Sequence, residues 1–447
     1  MATYIPHTDD EIATMLASLG LTSLDELFSS IPEAIRVHGA LELAAGVGEP
    51  DALAHLESLA DRNGRQGHGL VCFAGGGAYD HEIPSVTRAL AGRSEFVTSY
   101  TPYQAEVAQG VLQALFEYQT MVARLFGLPL ANASLYDGAS ATVEAVNLGV
   151  AASGRPLVWL SEGIHPHWRQ VVVTCATGTG HEITTVPLSG GTTRWPAPGP
   201  GGPPGVIVVG QPNYLGYLED LTAARAVCDA TGAVLVVAAD PVAAGVLCSP
   251  GAQGADVVVG EGQAFGSPLG FGGPYLGLFA CREEHVRRLP GRLVGETVDT
   301  AGRRAYVTTL RTREQDIRRE KATSNVCTNQ TLMAITAAIQ LAWLGTAGLA
   351  EMARRCARAT HFLFDALMAI DGVVPYADAP FLRECAVRLP VPAATVVDRM
   401  ADAGFLAGVD LAGTYDGGDH ALLVTATERR TRQEIDAYVA AFTKAVA

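Results

Sequence analysis

Lysine is nearly absent from this sequence. Among the 447 residues it occurs only at Lys321 and Lys444, and arginine supplies the rest of the positive charge. The guanidinium of arginine keeps its proton and cannot act as an amine nucleophile, so only two residues could form an imine with a carbonyl compound. Lys444 lies in an amphipathic helical pattern typical of a surface, and Lys321 lies in an arginine-dense polar stretch. Neither position favours a buried lysine nucleophile.

Positive charge is also scarce relative to negative charge. Acidic residues outnumber basic ones by 46 to 31, and the net charge is −15. This balance argues against nucleic acid or an anionic membrane as the main partner and favours a small molecule or a basic partner. The N-terminal segment is acidic where a signal peptide would be basic, and the apolar stretch "VLVVAADPVAAGVL" is interrupted by Asp240 and Pro241. We therefore expect a soluble, cytoplasmic protein.

Metal-site and nucleotide-binding motifs are missing as well. The sequence contains no C-x-x-C pair and no histidine at ligand spacing from a cysteine, which leaves a zinc site or a disulfide framework without support. We expect reduced, mostly buried thiols and no metal. No G-x-G-x-x-G follows a strand pattern, which argues against a dinucleotide fold. The eight cysteines are Cys72, Cys175, Cys228, Cys248, Cys281, Cys327, Cys356 and Cys385.

The chain is long enough for more than one domain. Residues 1–70 show short amphipathic helical patterns and predict a helical N-terminal arm. Residues 71–329 alternate apolar strands with helices, as a parallel-rich sheet covered on both faces requires, and predict a large α/β domain. Residues 330–447 begin with a long helix and predict a small α+β domain. The central strands are predicted at 156–160, 205–210, 233–240, 255–260 and 275–281.

Residues 71–110 are rich in glycine, aromatic and polar residues, a composition typical of functional loops. In "FAGGGAYDHEIP", the glycines 75–77 would let the backbone approach a ligand, with Tyr79 and His81 nearby. In "SYTPYQAEVAQG", tyrosine hydroxyls on rigid stems could orient a small substrate. We interpret this second motif as functional rather than as core packing, and its candidate residues are Tyr100, Thr101, Tyr103 and Gln104.

A turn of small residues opens a helix at Asp137 and Gly138. Free backbone N–H groups and the positive end of the helix dipole make such a turn a natural anion site. The alternative is that Asp137 is simply an N-cap. On this segment alone the N-cap is favoured.

Two polar residues follow neighbouring apolar strands. Asp240 ends one strand, at the edge where open α/β sheets bind ligands, although an aspartate before Pro241 is also a common turn former. Gln263 follows the next strand. This order resembles pyridoxal phosphate (PLP) enzymes of the aspartate aminotransferase fold, in which the aspartate contacts the pyridine nitrogen and a lysine after the following strand holds the cofactor. Because an amide cannot form an imine, we expect Asp240 and Gln263 to be vestigial cofactor-loop positions.

The segment "RTREQDIRREKATSNVCTNQ" has two interpretations. Its arginines, Arg311, Arg313, Arg318 and Arg319, could form a solvated face or contact an anionic ligand. The adjoining "KATSN" has small hydroxyl and amide residues that suit ligand contact. Both interpretations stay open.

Five ordered motifs together resemble one family. "GGGAYDHEIPSV", "YTPYQAEVAQGVLQALFEYQTM", "NASLYDGASA", "VVGEGQAFGSPLGFGGPYLG" and "RTREQDIRREKATSNVCTNQ" are similar to the alpha chains (subunit 1) of two-subunit glycine dehydrogenase (decarboxylating), the P-protein of the glycine cleavage system. The resemblance covers nearly the whole chain. It implies the aspartate aminotransferase fold and a partner of the same fold, the beta chain (subunit 2), which carries the PLP lysine in an alpha2–beta2 heterotetramer.

The same resemblance implies a reaction and its participants. Glycine is decarboxylated with PLP of the beta chain, CO2 is released, and the aminomethyl group passes to the lipoyl arm of H-protein, with T- and L-proteins as functional associates. Tyr100, Thr101, Tyr103 and Gln104 would lie at the edge of the partner's site. Lys321, Thr323 and Asn325 are second candidates, for contact with the cofactor.

Three hypotheses about function remain. The chain could complete a neighbour's active site, which the rich loop at 71–110 favours. It could be a structural and docking subunit with a vestigial pocket. It could also be a self-sufficient PLP enzyme that uses Lys321.

Overall fold

The computed structural model describes residues 6–37, 39, 41–63, 69–102, 104–199, 201–310, 322, 324 and 326–447. The chain divides into two compact units, residues 1–63 and 64–447. Tyr103, the four arginines from Arg311 to Arg319, Lys321, Thr323 and Asn325 lie outside the described residues. The domain boundaries predicted after residues 70 and 329 stay predictions.

The first unit is helical where the sequence predicts helices. It contains α1 (Asp9–Ser18), α2 (Glu49–Ala60) and two short 3-10 turns at Leu24–Phe28 and Glu33–Ile35. Helix α1 starts with a capping box, because Thr8 Oγ1 accepts from the Glu11 N–H at 3.3 Å and the Glu11 carboxylate accepts from the Thr8 N–H at 2.7 Å.

The second unit begins with short elements and then builds a mixed sheet between helices. In chain order its first elements are β1 (Val71–Cys72), α3 (Ser85–Ala91), α4 (Ser94–Val97), α5 (Gln109–Phe126), β2 (Leu130–Ala131), α6 (Gly138–Ser153), β3 (Leu157–Ser161), α7 (Pro166–Thr179), β4 (Glu182–Val186), β5 (Leu188–Ser189), β6 (Thr192–Thr193), β7 (Val206–Gln211), α8 (Leu221–Thr231), β8 (Val234–Ala239), β9 (Val257–Glu261), β10 (Gly277–Cys281), β11 (Leu293–Val298) and β12 (Arg304–Thr309).

The seven-stranded sheet has the order β2-β10-β9-β8-β7-β3-β4. Strands β4, β3, β7, β8 and β9 are parallel, and β10 pairs antiparallel with both β9 and β2. Strands β7 and β8 are buried along their whole length, as their continuous apolar sequences predict for a sheet covered on both faces. The large α/β fold with a parallel-rich central sheet is confirmed.

The remaining elements form a smaller layer. They are α9 (Thr331–Met368), β13 (Val374–Pro375), β14 (Glu384–Arg388), α10 (Ala393–Asp402), β15 (Phe405–Leu406), β16 (Val409–Asp410), β17 (Ala421–Thr425) and α11 (Arg432–Val446). A four-stranded antiparallel sheet has the order β13-β14-β17-β16. Strand β1 pairs with β15, so residues 71–72 join this layer rather than the large sheet.

Helix α9 is long and apolar enough to cross a membrane by length and composition alone. It is kinked at Gly345, where φ is +59°. Its buried face includes polar residues such as Thr336 and Gln340, and Gln340 accepts a hydrogen bond from Thr87 Oγ1 at 2.8 Å. These contacts account for α9 as a core helix of the fold.

The cysteines are less buried than the sequence predicts. All eight are free, and only Cys228, Cys281, Cys356 and Cys385 are buried. Cys175, Cys248 and Cys327 are exposed, so the expectation of mostly buried thiols holds for half of them.

Candidate functional site

A cavity of about 90 Å³ lies at the carboxyl ends of β7, β8 and β9. This edge is where open α/β sheets place their ligands. Residues that line the cavity come from the large sheet and the loops that follow its strands, from the glycine-rich loop, from the start of α7 and from the start of β14. Those discussed below are Gly77, Tyr79, His165, Trp168, Tyr214, Asp240, Glu261, Gln263, Arg383 and Glu384.

Gln263 is buried, with 2% of its surface exposed, and all its polar atoms are bonded. Its amide oxygen accepts from the Tyr79 N–H at 2.9 Å, and its amide nitrogen donates to the Tyr79 carbonyl at 3.0 Å and to the Ser267 carbonyl at 2.9 Å. Gln263 therefore cross-links the loop at residue 79 to the end of β9. The side chain offers no nucleophile and no free donor to a ligand.

Asp240 is paired with a residue that the sequence analysis missed. Arg383 Nη2 donates to Asp240 Oδ1 at 2.9 Å and Arg383 Nε donates to Oδ2. Asp240 also accepts from the Val242 N–H at 3.0 Å, which is the turn contact expected before Pro241. Both carboxylate oxygens are thus occupied within the chain.

Arg383 is buried and its position is set by three neighbours. Its guanidinium lies 3.8 Å from the centroid of the Tyr79 ring, and Nη1 lies 3.2 Å from His81 Nε2. Burial alone would lower the pKa of Arg383, but the charge and hydrogen bonds of Asp240 hold that pKa above its ordinary value. Arg383 therefore stays charged and joins the small layer to the large sheet.

The glycines at 75–77 allow close packing against the protein's own side chains. Gly77 also lines the cavity, and the expected approach of this loop to a ligand stays a prediction. The Gly76 N–H donates to Glu384 Oε1 at 2.6 Å, and a Cβ at Gly75 would overlap that same carboxylate. A Cβ at Gly77, where φ is +106°, would lie 2.9 Å from the His165 ring. The Tyr79 hydroxyl completes the contacts of Glu384 at 2.8 Å.

The aromatic wall of the cavity is uncharged at neutral pH. His165 stacks on Trp168 with a ring distance of 5.8 Å and meets Tyr214 edge-on at 4.8 Å. Burial lowers the pKa of His165 to about 4, so the imidazole is neutral.

Two carboxyl groups face the cavity, that of the buried Glu384 and that of the partly buried Glu261. Burial raises the pKa of Glu384 to about 7, even though Gly76, Arg383 and Tyr79 favour its charged form. Burial likewise raises the pKa of Glu261 to about 7, against hydrogen bonds from three backbone N–H groups. Neither residue was a candidate from the sequence; the available signal was a glutamate at the end of β9 and an Arg–Glu pair at the start of β14.

A cluster of three side chains lies next to Arg383, with His81 and Cys356 buried and Glu428 partly buried. His81 Nδ1 is 2.8 Å from Glu428 Oε2, and Cys356 Sγ donates to the same oxygen at 3.2 Å. Burial opposes ionisation of Glu428, but the hydrogen bond and charge of His81 lower its pKa to about 2. These three side chains are close enough to hold a metal ion, with ligand atoms within 4.8 Å of one another. Their mutual hydrogen bonds account for their arrangement, and the expectation of no metal stays a prediction.

Three described candidates of the "YTPYQ" motif, Tyr100, Thr101 and Gln104, are not among the residues of this cavity. Tyr100 is 74% exposed and Gln104 is exposed, whereas Thr101 is partly buried and its Oγ1 has no hydrogen-bond partner among the residues described. None of the three lines the cavity that contains Asp240 and Gln263.

Pyridoxal phosphate does not fit the residues of this cavity. Gln263, which follows β9, has no amine, and its side-chain amide is fully hydrogen-bonded within the chain. Both carboxylate oxygens of Asp240 are paired with Arg383, so this side chain is not available to a ring nitrogen. The N-terminus of α6, the natural anion site, already contacts the carboxylate of Glu261.

The sequence profile of the glycine cleavage system P-protein family matches residues 2–442. A probable glycine dehydrogenase (decarboxylating) subunit 1 from Moorella thermoacetica is 46% identical over 441 residues, 98% of each chain. A crystal structure of glycine decarboxylase (P-protein) of the glycine cleavage system, in inhibitor-bound form, superposes with a TM-score of 0.91 at 43% identity, covering 99% of this chain and 100% of that one.

More distant structures share the fold alone. A sphingosine-1-phosphate lyase from Burkholderia pseudomallei superposes with a TM-score of 0.63 at 17% identity, over 93% of this chain and 94% of that one. Together with the P-protein structure, this similarity confirms the fold of the PLP-dependent transferases predicted from the sequence.

Proposed function

Because this chain belongs to the glycine cleavage system P-protein family, we propose that it is the alpha subunit of a two-subunit glycine decarboxylase. In this proposal a beta subunit (subunit 2) carries PLP. The complex decarboxylates glycine, releases CO2 and transfers the aminomethyl group to the lipoyl arm of H-protein. The present chain supplies residues that complete the partner's active site.

One observation carries the proposal: this chain's own cofactor pocket cannot hold PLP as a Schiff base. Gln263 stands after β9, where the fold has its lysine, and its amide is bonded to Tyr79 and Ser267. A family member that acts on glycine through PLP but lacks that lysine needs the cofactor on another chain. The name subunit 1 of similar proteins supports such a partner.

The "YTPYQ" segment is suited to contact with a second chain. Tyr100 is 74% exposed, and the flanking Val97 and Val107 are 54% and 79% exposed. Exposed aromatic and aliphatic side chains of this kind are enriched in the cores of protein interfaces. We assign Tyr100, Thr101, Tyr103 and Gln104 to the edge of the partner's site, and Lys321, Thr323 and Asn325 to contacts with the partner's cofactor.

The proposed assembly is an alpha2–beta2 heterotetramer in the cytoplasm that acts together with H-, T- and L-proteins. The net charge of −15 is consistent with small-molecule and protein partners rather than with nucleic acid.

The proposal is tested by producing the chain together with subunit 2. After borohydride reduction and mass spectrometry of the separated chains, we expect the pyridoxyl group on subunit 2 alone. Label on Lys321 would instead establish the self-sufficient enzyme and overturn the assignment.

The role of the "YTPYQ" segment needs its own measurement. We expect Tyr100→Phe and Tyr103→Phe to reduce glycine-dependent bicarbonate exchange by the assembled complex. Tyr376→Phe is the matched control, since the Tyr376 hydroxyl contacts the Asp416 carbonyl in the small layer. Unchanged exchange in both test variants, with an intact complex, would favour the second candidate function.

That second candidate is a structural and docking subunit with a vestigial pocket. The internally bonded state of Gln263 and Asp240 is the observation that favours it, because neither residue has a free group for catalysis. Under this alternative, subunit 2 needs the present chain for assembly and H-protein binding, and the tyrosine hydroxyls contribute nothing to the rate.

A further inference from the structure

The proposed function leaves the N-terminus of α6 unexplained, a feature that contacts the cavity-lining residue Glu261. Asp137 caps the helix, since its Oδ1 accepts from the Ser140 N–H at 2.7 Å. The capping interpretation made from the sequence is therefore correct. Capping satisfies only one of the free N–H groups of the first turn, so the turn could still bind an anion.

The Gly138 N–H contacts an anion that belongs to the protein. It donates to Glu261 Oε2 at 2.9 Å. The other oxygen, Oε1, accepts from the Gln263 N–H at 3.0 Å and from the Leu276 N–H at 2.9 Å. One carboxylate thus takes three backbone donors, from the start of α6, the end of β9 and the strand that follows.

This arrangement matches what a bound phosphate would require. Phosphate at a helix N-terminus is held by backbone N–H groups and by the positive end of the helix dipole. Glu261 lines the cavity and occupies the donor at Gly138. The Trp168 ring packs against Gly138 so closely that a Cβ there would overlap it. A second anion would therefore find this backbone donor already taken.

We propose that the Glu261 carboxylate is an internal replacement for a ligand phosphate at the N-terminus of α6, and that it excludes phosphate esters from this cavity. Glu261 is thereby a specificity-determining residue of the chain's own pocket. The exclusion acts separately from the absent lysine, because it concerns a non-covalent contact on a different element. It also does not depend on the proposed function, which concerns the partner's site.

The test uses two ligands that differ only in the phosphate and need no lysine: pyridoxamine and pyridoxamine 5′-phosphate. Binding of each to the purified full chain is measured by titration calorimetry. We expect the unaltered chain to show no preference for the phosphate ester. In Glu261→Ala the ester should bind about tenfold more tightly than pyridoxamine, because the helix N-terminus becomes available to it.

Glu384→Ala is the matched control. It removes a second carboxylate that lines the same cavity, but the Glu384 carboxylate is bonded to Gly76 and Tyr79 rather than to α6. This control should gain no phosphate preference. A similar gain in both variants would show that lost negative charge or added volume, rather than the anion site, controls binding, and would overturn the proposal.

A second variant covers the possibility that Glu261→Ala does not fold. Glu261→Gln keeps the size of the side chain and removes its charge, and its preference for the ester should lie between those of the unaltered chain and the alanine variant. Inorganic phosphate should also raise the melting temperature of a folded Glu261 variant by about 2 °C and leave that of the unaltered chain unchanged. A preference for the ester in the unaltered chain, or its absence from every folded Glu261 variant, would overturn the proposal.

Discussion

The side chain of Gln263 and the backbone of Tyr79 form a reciprocal pair of hydrogen bonds, 2.9 Å from the Tyr79 N–H and 3.0 Å to its carbonyl. The amide therefore performs a structural task at the position where the sequence analysis expects the lysine of PLP enzymes. The amide accepts from the Tyr79 N–H and donates to the Tyr79 carbonyl. An ammonium could only donate and a carboxylate could only accept, so neither could make both hydrogen bonds.

Truncation of Gln263 should cost stability. Gln263→Ala leaves the Tyr79 N–H, the Tyr79 carbonyl and the Ser267 carbonyl without their partner, and unsatisfied buried groups are expensive. We expect a loss of about 2–4 kcal/mol in the free energy of unfolding, measured by urea denaturation. Gln253→Ala is the control: Gln253 makes one side-chain bond, to the Cys248 carbonyl, and its loss should cost about 0.5 kcal/mol. Equal losses would contradict the structural role of Gln263.

The Asp240–Arg383 pair should show strong coupling. Arg383→Met leaves a partly buried carboxylate without its counter-ion and should destabilise the fold by about 3–5 kcal/mol. The double variant Asp240→Asn/Arg383→Met should lose less than the sum of the two single variants, which a double-mutant cycle measures. The exposed Arg358, which pairs with Glu351, serves as control, and Arg358→Met should change stability by less than about 0.5 kcal/mol. Additive single losses at Asp240 and Arg383 would show that the pair is not coupled.

Glu384 should make stability depend on pH. Its pKa is raised by burial from an ordinary value of 4.5 to about 7, so the folded state holds the proton more tightly than the unfolded state does. The resulting stabilisation is present in full below pH 4.5 and is lost as the pH rises toward 7, by about 3 kcal/mol in total.

Glu384→Gln isolates this contribution. The glutamine can keep both contacts, because its amide oxygen accepts from Gly76 and its amide N–H can donate to the Tyr79 hydroxyl. Urea denaturation at several pH values between 4.5 and 8 should show that the unaltered chain loses stability relative to the variant as the pH rises. A constant difference across this range would contradict the raised pKa.

Substitution by alanine should destabilise the fold at Gly75 and stabilise it at Gly178. Gly75→Ala places a Cβ against Glu384 Oε1 and near the Tyr79 ring, both held by buried hydrogen bonds, and should destabilise the fold by about 1–3 kcal/mol. Gly178, within α7, has open space around its Cβ position, so Gly178→Ala should stabilise by about 0.5–1 kcal/mol. The melting temperature of each variant, compared with that of the unaltered chain, measures these two effects. A stable Gly75→Ala protein would mean that residues 75–77 can move away from β14.

Patterns of apolar residues predicted the central strands well, because a strand buried on both faces needs a continuous apolar sequence. The continuous apolar runs of β7 and β8 require burial on both faces, and the structure places both in the centre of the sheet. The prediction that residues 71–110 form functional loops missed a strand and two helices. Strand β1 and helices α3 and α4 form there, because pairing with β15 and packing on α9 stabilise segments whose own patterns are weak.

The sequence by itself determined that no imine can form at residue 263, since the chemistry of an amide does not depend on its surroundings. It also predicted the five central apolar strands and favoured the capping role of Asp137. Only the tertiary structure decided what the polar groups of the cavity bind. Arg383 lies 143 residues from Asp240, and Glu261 lies 123 residues from Gly138. Such pairs depend on how the small layer and α6 pack against the ends of the strands, and no local periodicity records that packing.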